Sequence, residues 1–488
     1  MSAKIIEVDA YCGQLLGIHG PVVKMLDDYL SIRVQGAFWS PAVRSGKWDG
    51  KKHFFSTSTM RFPLYFAEQV REFLAQKEIN CDMAIRPIPT LPESMVDSLK
   101  LPEGTQLRDY QVDCLKKCIA AGRGIIQAPT ASGKTVVIAS LVKLYARKTL
   151  IIVNRKSLAE QIKDRLERYG LGKIDIVHSE HMDFEDRDVC VCLVQSIGQI
   201  EKYLGTYDML IADEVHFAKA KSYVNIVKQC TKALNRFGFS ATIPADGTVE
   251  KLQIVALFFQ ICYNMDVAQL LSREEHIMAD PLFLFILNDK APVYAPDAKP
   301  PESANALVDM ENKVYVYNMY RNTLVAYVAQ KYTALGSKVL VLVRREDHGQ
   351  VLADIMDCEY MNGAMSIDRR QEMIRRFEKG YDKVLLAQTE IMGVGIDLHG
   401  GCDVFIAAGG GRGHIPVIQR VGRALRANEN FEVLCVDFDD RIPGCPMAHE
   451  HSIARHNICK NTYEEQRVHG IDIDKDSKVY NAVKEACQ

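Results

Sequence analysis

The chain has 488 residues, of which 48% are hydrophobic, so it is long enough to form two or three domains with their own cores. Its 60 Lys and Arg residues balance 62 Asp and Glu residues, which excludes a protein drawn to nucleic acid by overall charge. The 14 cysteines include no CxxC pair, and we find neither a signal-peptide core nor a membrane-length apolar run. We therefore expect a cytoplasmic protein with reduced thiols and no membrane partner.

Residues 1–92 form the first block, with short strand-like runs, a helix-like stretch over 66–75 and a proline-containing linker over 86–92. Both tryptophans lie within 37–55, among glycines and basic residues, a composition that suits phosphates and exposed base faces. Composition alone favours a plainer alternative, a hairpin with core aromatics and solvated lysines. We expect Asp49 to bond its own backbone. The candidate nucleic-acid contacts of this block are Arg44, Lys47, Trp48 and Lys51.

Two further blocks alternate apolar runs with helix-period segments, and this alternation predicts parallel sheets with helices on both faces. The apolar runs of residues 93–278 are 124–127, 149–153, 189–193 and 209–212. After a Pro-rich stretch at 291–301, whose role the sequence leaves open, the runs of residues 279–442 are 338–343, 383–387, 403–407 and 433–437. Residues 443–488 are expected to form a polar helical tail. The cysteines and histidines of this tail fit no usual zinc spacing.

The segment 128–135, Ala-Pro-Thr-Ala-Ser-Gly-Lys-Thr, joins a strand-like run to a helix-like run. Small residues let backbone N–H groups surround a phosphate, and the helix N-terminus adds partial positive charge. Lys134 can then reach the terminal phosphates and Thr135 can hold Mg²⁺. The alternative is a chance Gly-Lys-Thr at a helix start, and Ala128 replaces the usual first glycine. The candidate nucleotide-binding residues of this loop are Pro129, Thr130, Ala131, Ser132, Gly133, Lys134 and Thr135.

Two carboxylates follow the run 209–212. Asp213 is placed to bind the water shell of Mg²⁺, and Glu214 to activate the water that attacks the γ-phosphate. An ordinary acidic strand end is the alternative, which the upstream phosphate loop makes the weaker one. Gln111 could recognise the adenine edge while Arg108 stacks on the ring, although a polar helix start explains both equally well.

This series of motifs resembles that of superfamily 2 helicases of the DExH type, over most of residues 107–426. The matches, in the family's order, are Gln111 for the adenine motif, 128–135 for motif I, 213–216 for motif II, 240–242 for motif III, 389–397 for motif V and 419–426 for motif VI. The resemblance implies an α/β fold of two tandem RecA-like domains, preceded here by a small N-terminal α+β domain.

By this resemblance, ATP and Mg²⁺ are bound between two domains that close on binding and reopen on hydrolysis. Arg423 and Arg426 would act as arginine fingers on the γ-phosphate, although 419–426 could alternatively be a solvated basic helix. The ribose would contact Asp397, in the same motif as Gly395. The residues that would couple the nucleotide to the rest of the motor are His216, Gln419, Ser240 and Thr242.

The resemblance also implies that a single nucleic-acid strand is held, mainly by its sugar-phosphate backbone, at a set of positions in both domains. Taken individually, these positions would be read as ordinary solvated loop residues. These positions are Arg155, Lys156, Gln195, Ser196, Arg344, Gly363 and Thr389. The segment 44–51 resembles the N-terminal domain of phage recombination helicases of the UvsW type, as do 61–64 and 246–247. That resemblance implies contact between residues 1–92 and duplex DNA.

We therefore expect an ATP- and Mg²⁺-dependent DNA helicase that acts on branched or forked DNA in recombination, repair or replication. The resemblance implies 3′ to 5′ movement, a monomer, replication or recombination proteins as partners and, for a phage protein, the host cytoplasm. Three alternatives stay open: an RNA helicase, a duplex translocase that does not separate strands, and a non-catalytic clamp. Intact Lys134, Asp213, Glu214 and Arg423 argue against the clamp.

Overall fold

The computed structural model describes residues 2–129, 132–178, 181–217, 221–271, 279–295, 300–392, 398, 401–411, 432–463 and 468–471. The chain divides into two compact units, one formed by Met1–Ala128 with Gly133–Met265 and the other by Pro129–Ser132 with Asp266–Gln488. Among the described helices, none is both long and apolar enough to cross a membrane. The predicted α/β fold, with two largely parallel sheets and a small N-terminal α+β part, is confirmed.

The N-terminal part is built on a small mixed sheet. Its elements are β1 (Ser2–Glu7), β2 (Cys12–Leu16), α1 (Pro21–Tyr29), β3 (Ser31–Arg33), α2 (Pro41–Arg44), β4 (Lys51–His53), β5 (Arg61–Pro63), α3 (Ala67–Ala75) and β6 (Asn80–Ala84), with 3₁₀ turns at Ala37–Trp39 and Leu64–Phe66. The sheet has the order β5-β2-β1-β6, and β3 pairs with β4 as a separate antiparallel ribbon. Alternate residues of β1, Ala3 and Ile5, are buried against Val70 and Leu74 of α3 in one hydrophobic cluster.

The first α/β sheet follows in the same unit. Its elements are α4 (Ser94–Asp97), α5 (Asp109–Ala121), β7 (Gly124–Gln127), α6 (Lys134–Tyr145), β8 (Thr149–Val153), α7 (Lys156–Arg168), β9 (Asp175–His178), β10 (His181–Asp183), β11 (Val189–Leu193), β12 (Met209–Ala212), α8 (Lys221–Gln229), β13 (Asn235–Ser240), α9 (Val249–Phe258) and β14 (Ile261–Asn264). Two 3₁₀ segments, Val194–Thr206 and Val215–Phe217, complete the set. The order is β10-β9-β11-β8-β12-β13-β7-β14, and every pairing is parallel except that of β10 with β9. Every residue of β8 and β11 is buried, as expected for strands covered on both faces.

The N-terminal part and the first α/β sheet share contacts. Ala256 of α9 belongs to the hydrophobic cluster of the N-terminal part, and the rings of Tyr65 and Phe259 lie 6.0 Å apart. The segment 86–92, predicted as a linker, is held in place, since Pro89 O accepts a hydrogen bond of 2.8 Å from the Asn235 side chain and Leu91 N donates to Ile119 O. Residues 1–92 therefore form their own sheet yet lie in one compact unit with the sheet that follows.

The second α/β sheet belongs to the second unit. Its elements are α10 (Val267–Leu271), β15 (Asp280–Asn288), α11 (Ala306–Glu311), a π-helical turn at Asn312–Val316, α12 (Met319–Ala334), β16 (Val339–Val343), α13 (Glu346–Met356), β17 (Tyr360–Met361), α14 (Ile367–Glu378), β18 (Val384–Gln388), α15 (Thr389–Met392), β19 (Val404–Ala407), β20 (Glu432–Asp440), α16 (Pro446–Tyr463) and β21 (Val468–Ile471). The order is β17-β18-β16-β19-β20-β15-β21, with every pairing parallel.

The region after Ile442 differs from the helical tail that the sequence predicts. It contains α16, whose Cys459 and Tyr463 are buried, and β21, which extends the second sheet by pairing with β15. Two of its histidines have structural contacts, His449 with Asp439 at 3.2 Å and His456 with the ring of Phe285. The described part of this tail is thus integrated into the second α/β sheet rather than appended to it.

Candidate nucleotide and nucleic-acid sites

Three of the predicted motifs follow neighbouring strands of the first α/β sheet. β12, β13 and β7 lie side by side and run parallel, so their carboxyl ends meet at one edge. Motif II begins after β12, motif III at the last residue of β13, and motif I after β7. The backbone links two of them directly, because Ala128 N donates a hydrogen bond of 3.0 Å to Ser240 O. The sheet topology therefore gathers residues more than 100 positions apart in the sequence.

Gly133 ends the phosphate loop and caps the N-terminus of α6 in the left-handed region, with φ of 79°. A Cβ atom at this position would lie 2.4 Å from Nε2 of the buried Gln111, so a side chain here would displace Gln111 in addition to straining the left-handed backbone. Lys134 Nζ donates to Ala128 O at 3.1 Å, and Ser132 Oγ donates to Pro129 O at 2.8 Å. Thr130 and Ala131 lie outside the described residues.

Gln111 lies at the start of α5, where its side chain caps the helix. Its Oε1 accepts a hydrogen bond of 3.1 Å from Arg108 N, while an Arg108 guanidinium nitrogen donates to the Tyr110 hydroxyl at 3.0 Å. The geometry brings Gln111 against Gly133, and so connects the predicted adenine motif to the phosphate loop. The roles of Gln111 and Arg108 toward adenine remain predictions.

Asp213 and Glu214 follow β12 in different environments. Burial and the neighbouring Glu214 carboxylate raise the pKa of Asp213 to about 7, and its Oδ1 accepts no hydrogen bond from the residues that the structure describes. Burial also opposes ionisation of Glu214, but the neighbouring His216 and the charges of Lys134 and Arg155 outweigh burial and lower the pKa of Glu214. Two adjacent carboxylates thus differ in proton affinity, as expected where they divide two tasks.

His216 joins motif II to motif III. Its Nδ1 lies 3.1 Å from Oε2 of Glu214 and 3.0 Å from Oγ of Ser240. Since Ser240 Oγ donates its own proton to Thr242 O at 2.7 Å, it can accept the proton of His216 Nδ1. The three residues that these hydrogen bonds connect, His216, Ser240 and Thr242, are all buried. His216 Nδ1 thus lies within reach of both the Glu214 carboxylate and Ser240, so a change at Glu214 can reach motif III through His216.

The residues of the first unit that are predicted to contact nucleic acid follow two other neighbouring β-strands, β8 and β11. Gln195 is exposed, whereas Ser196 is buried. Arg155 is half-buried; burial lowers its pKa, and the charges of Glu214 and Asp213 oppose that shift. Arg155 therefore lies within electrostatic reach of the nucleotide carboxylates, a position that motif comparison alone does not reveal. Lys156 begins α7 directly after it.

In the second unit, the residues predicted to contact nucleic acid follow the adjacent parallel β-strands β17, β18 and β16. Thr389 Oγ1 donates to Val343 O at 2.8 Å, which ties the ends of β18 and β16 together. A guanidinium nitrogen of Arg344 lies 3.0 Å from Glu311 Oε1, and Gly363 O accepts a hydrogen bond from Arg370. The remaining motif V and VI positions lie outside the described residues, namely Gly395, Asp397, Gln419, Arg423 and Arg426.

In the N-terminal part, the two tryptophans are in different environments. Trp48 is half-buried and its indole N–H donates to Lys51 O at 2.8 Å, so its side chain folds onto the start of β4. Lys51 pairs with Asp28, and Lys51 N donates to Asp49 Oδ1 at 3.0 Å, which confirms the structural role predicted for Asp49.

Arg44 and Lys47 are exposed, as a nucleic-acid contact requires. Among the aromatic residues of segment 37–55, Phe38 and Trp39 are exposed, whereas Trp48 is not. The sequence contains one sign of this: the two adjacent rings lie between Gly36 and Pro41, outside any alternating pattern.

Two family models match the chain. The family described as "Type III restriction enzyme, res subunit" matches residues 104–245, and the family described as "Helicase conserved C-terminal domain" matches residues 319–428. The chain is 24% identical over 439 residues to the ATP-dependent DNA helicase uvsW of Enterobacteria phage T4, with 84% of this chain and 85% of that protein covered. It is 25% identical over 435 residues to the DNA 3′-5′ translocase XPB2 of Sulfurisphaera tokodaii, with 82% and 94% covered.

Solved structures support the fold. The type ISP restriction-modification enzyme LlaBIII bound to DNA has a TM-score of 0.56 at 14% identity, over 78% of this chain and 33% of that chain. Dbp5 of S. cerevisiae bound to RNA and ADP BeF3 has a TM-score of 0.52 at 12% identity, over 82% and 98% of the two chains. The order of the motifs along the chain and the two matched family domains agree with this fold. By these two domain matches and its relatives, the chain is an ATP-hydrolysing helicase, and it resembles the superfamily 2 helicases of the DExH type and, among them, the phage UvsW-type members.

Proposed function

We propose that this chain is an ATP-dependent DNA helicase or translocase that remodels branched DNA. The observation that carries the proposal is the edge of the first α/β sheet, where Lys134, Asp213 and the linked pair His216–Ser240 follow three neighbouring strands. Both relatives described above are named as acting on DNA, and one is named uvsW, the type that segment 44–51 resembles. These observations favour DNA over RNA as the substrate.

In the proposed reaction, the phosphates of ATP are bound by the backbone of 128–135 and by Lys134. Asp213 and Thr135 would hold Mg²⁺, which supplies positive charge to the phosphate oxygens when bound. The fit rests on Asp213 Oδ1, which is buried and receives no hydrogen bond from the described part of the chain. A carboxylate of this kind favours a cation or its water shell.

Glu214 would accept the proton of the attacking water. Its lowered pKa keeps the carboxylate ionised at neutral pH, and His216 at 3.1 Å fixes its orientation. By the family resemblance, Arg423 and Arg426 would stabilise the charge that develops on the γ-phosphate. The hydrogen bonds from His216 to Ser240 and from Ser240 to Thr242 O would report the state of the nucleotide to motif III.

The decisive experiment measures the steady-state ATPase rate at fixed salt in the presence of each of four nucleic acids: single-stranded DNA, blunt duplex DNA, a four-way DNA junction and structured RNA. We expect the strongest stimulation from the junction, followed by its separation into duplexes in an unwinding assay. Stimulation by RNA alone would contradict the DNA assignment. Stimulation by duplex without any strand separation would replace the remodelling helicase with a duplex translocase.

A further inference from the structure

Phe38 and Trp39 are exposed to an unusual degree for large aromatic residues. Their relative exposures are 70% and 71%, and their rings meet edge to face with centroids 5.4 Å apart. The core of the N-terminal part is already filled by other aromatic side chains, namely Phe55, Phe62, Phe66 and Phe73. An adjacent pair of exposed rings is therefore a surface feature that the fold of this region does not need for its own core.

The turn that carries the two rings is held by the backbone. Ala37 N donates to Val34 O at 3.1 Å and Trp39 N to Gly36 O at 3.0 Å. Ala37 is buried, and a Cβ at Gly50, which has φ of 79°, would lie 3.3 Å from Ala37 Cβ. Because the turn is fixed, presenting the rings to a ligand costs little conformational entropy.

One cation lies against the pair, and three more are exposed in the same ribbon and its connecting loop. The Arg44 guanidinium lies 5.6 Å from the centre of the Trp39 ring, and the other exposed cations of this ribbon are Arg33, Lys47 and Lys52. In the described residues none of these four cations is paired with a carboxylate, whereas Asp28 pairs with Lys51 and Asp27 and Asp49 flank His53. The cations are therefore available to an external anion, which makes a polyanion a better occupant than an apolar protein surface.

We propose that Phe38 and Trp39 form a stacking platform for unpaired bases at a DNA branch, with Arg44 and Lys47 on the adjoining phosphates. This inference rests on the function proposed above and names the part of the N-terminal region that senses the branch. Inside a continuous duplex, both faces of each base are covered by its neighbours, so an aromatic platform has no access. At a branch or a single-stranded arm, those faces are exposed and stack on aromatic rings.

Trp39 and Trp48 are the only tryptophans of the chain, which allows a direct test. In Trp48→Phe, Trp39 is the sole emitter, and we expect its fluorescence to be quenched on titration with a fork that has unpaired arms. Blunt duplex at the same phosphate concentration should leave the emission unchanged. In the reverse variant, Trp39→Phe, the half-buried Trp48 should respond to neither DNA. Equal quenching by fork and blunt duplex, or no quenching by the fork, would overturn the platform.

A binding experiment gives a second, independent readout. The double variant Phe38→Ala/Trp39→Ala should lose roughly ten- to hundred-fold in fork affinity, the range expected from one or two lost base stacks, with little loss toward blunt duplex. Tyr381→Ala is the matched control, since it removes another exposed aromatic, 72% accessible, from the second unit.

Thermal unfolding checks that the variants are folded; side chains this exposed should shift the midpoint little. Wild-type fork affinity in the double variant would refute the inference alone. Absence of DNA-stimulated ATPase in the wild type would instead refute the proposed function.

Discussion

Glu214 adopts a left-handed backbone conformation, with φ of 52°, just beyond the buried strand β12. A residue other than glycine pays about 1–3 kcal/mol for this conformation, which persists only where the surroundings enforce it. The neighbours of Glu214 are the buried Asp213 and His216, whose Nδ1 lies 3.1 Å from the Glu214 carboxylate. Such strain is frequent where a side chain must be aimed at a reacting atom, and it agrees with the proposed role of Glu214.

The first prediction separates nucleotide binding from hydrolysis. Glu214→Gln keeps the shape of the side chain but removes the proton acceptor, so turnover should fall by roughly 10²-fold or more while ATP still binds. Lys134→Ala removes the cation that reaches the phosphates, so both binding and turnover should fall. Single-turnover hydrolysis and binding of a fluorescent nucleotide measure the two effects. Unimpaired turnover in either variant would contradict the assignment of the site.

A second prediction concerns His348 in the second unit. Burial, with the nearby guanidinium groups of Arg321 and Arg345, lowers its pKa from 6.5 to about 3, and its Nε2 lies 3.0 Å from Asn322 Oδ1. Between these two pH values the unfolded chain binds a proton that the folded chain does not, so stability falls as pH falls below about 6.5. At pH 5 the loss should be about 2 kcal/mol.

His348→Gln is the matched variant, because its amide can still donate to Asn322 but does not titrate. Urea unfolding of both proteins at pH 7 and pH 5 measures the difference. The wild type should lose about 2 kcal/mol more than the variant between the two pH values. An identical pH dependence in both would show that His348 is not the group responsible.

At the scale of the elements, two buried arginines hold the second sheet to its helices. Arg321 of α12 donates to Asp440 Oδ1 at 2.9 Å and to Ala408 O at 2.8 Å. Arg455 of α16 donates to Asp437 Oδ2 at 2.8 Å and to Gly411 O at 3.1 Å. Each arginine thus connects the segment after β19 with the strand β20. These are the two described flanks of the predicted motif VI.

Removing one of these arginines should be costly, because it leaves a buried carboxylate and carbonyls without a donor. Arg455→Met is expected to lower the free energy of unfolding by about 3–5 kcal/mol. Arg441→Met is the control on the same strand end: its pair with Asp439, at 2.8 Å, is exposed, so its loss should cost under about 1 kcal/mol. Urea denaturation followed by far-ultraviolet circular dichroism measures both, and equal effects would contradict the role of the buried pair.

At the scale of the whole molecule, the N-terminal part and the first α/β sheet belong to one compact unit. Ala256 packs among residues of the N-terminal core, and Ala10 N donates to Thr231 O at 2.9 Å. If the two parts unfold together, a ligand of the phosphate loop must stabilise the distant tryptophans as well. This expectation follows from mass action and does not require any change in the N-terminal structure.

The test uses Trp39→Phe, in which Trp48 alone reports the N-terminal part. Mg-ADP at about one hundred times its Kd should raise the stability that Trp48 reports by about 2.7 kcal/mol. The same variant carrying Lys134→Ala should show no nucleotide-dependent shift. A Trp48 transition that the nucleotide leaves unmoved in the Trp39→Phe protein would show that residues 1–92 unfold as an independent domain.

The sequence alone determined the α/β class and the order of the helicase motifs. Strands buried on both faces need continuous apolar runs, and a phosphate loop needs small residues at a strand-to-helix junction, so both leave a local record. Gly133 and Asp49 could be assigned for the same reason, since the requirement lies within a few neighbouring residues. The residues of a segment such as 209–213 were therefore sufficient to predict a buried strand followed by a catalytic carboxylate.

The tertiary structure decided what depends on distant partners. Only packing shows that Trp48 bonds to the start of β4 while Trp39 is exposed, and that Arg155 lies within reach of the nucleotide carboxylates. It also shows that the region after Ile442 adds a strand to the second sheet. The segment 86–92 was predicted as a linker, and the structure adds that Asn235, 146 positions after Pro89, donates a hydrogen bond to Pro89 O. Burial and pairing of a side chain depend on which elements meet in space, and local composition does not specify that.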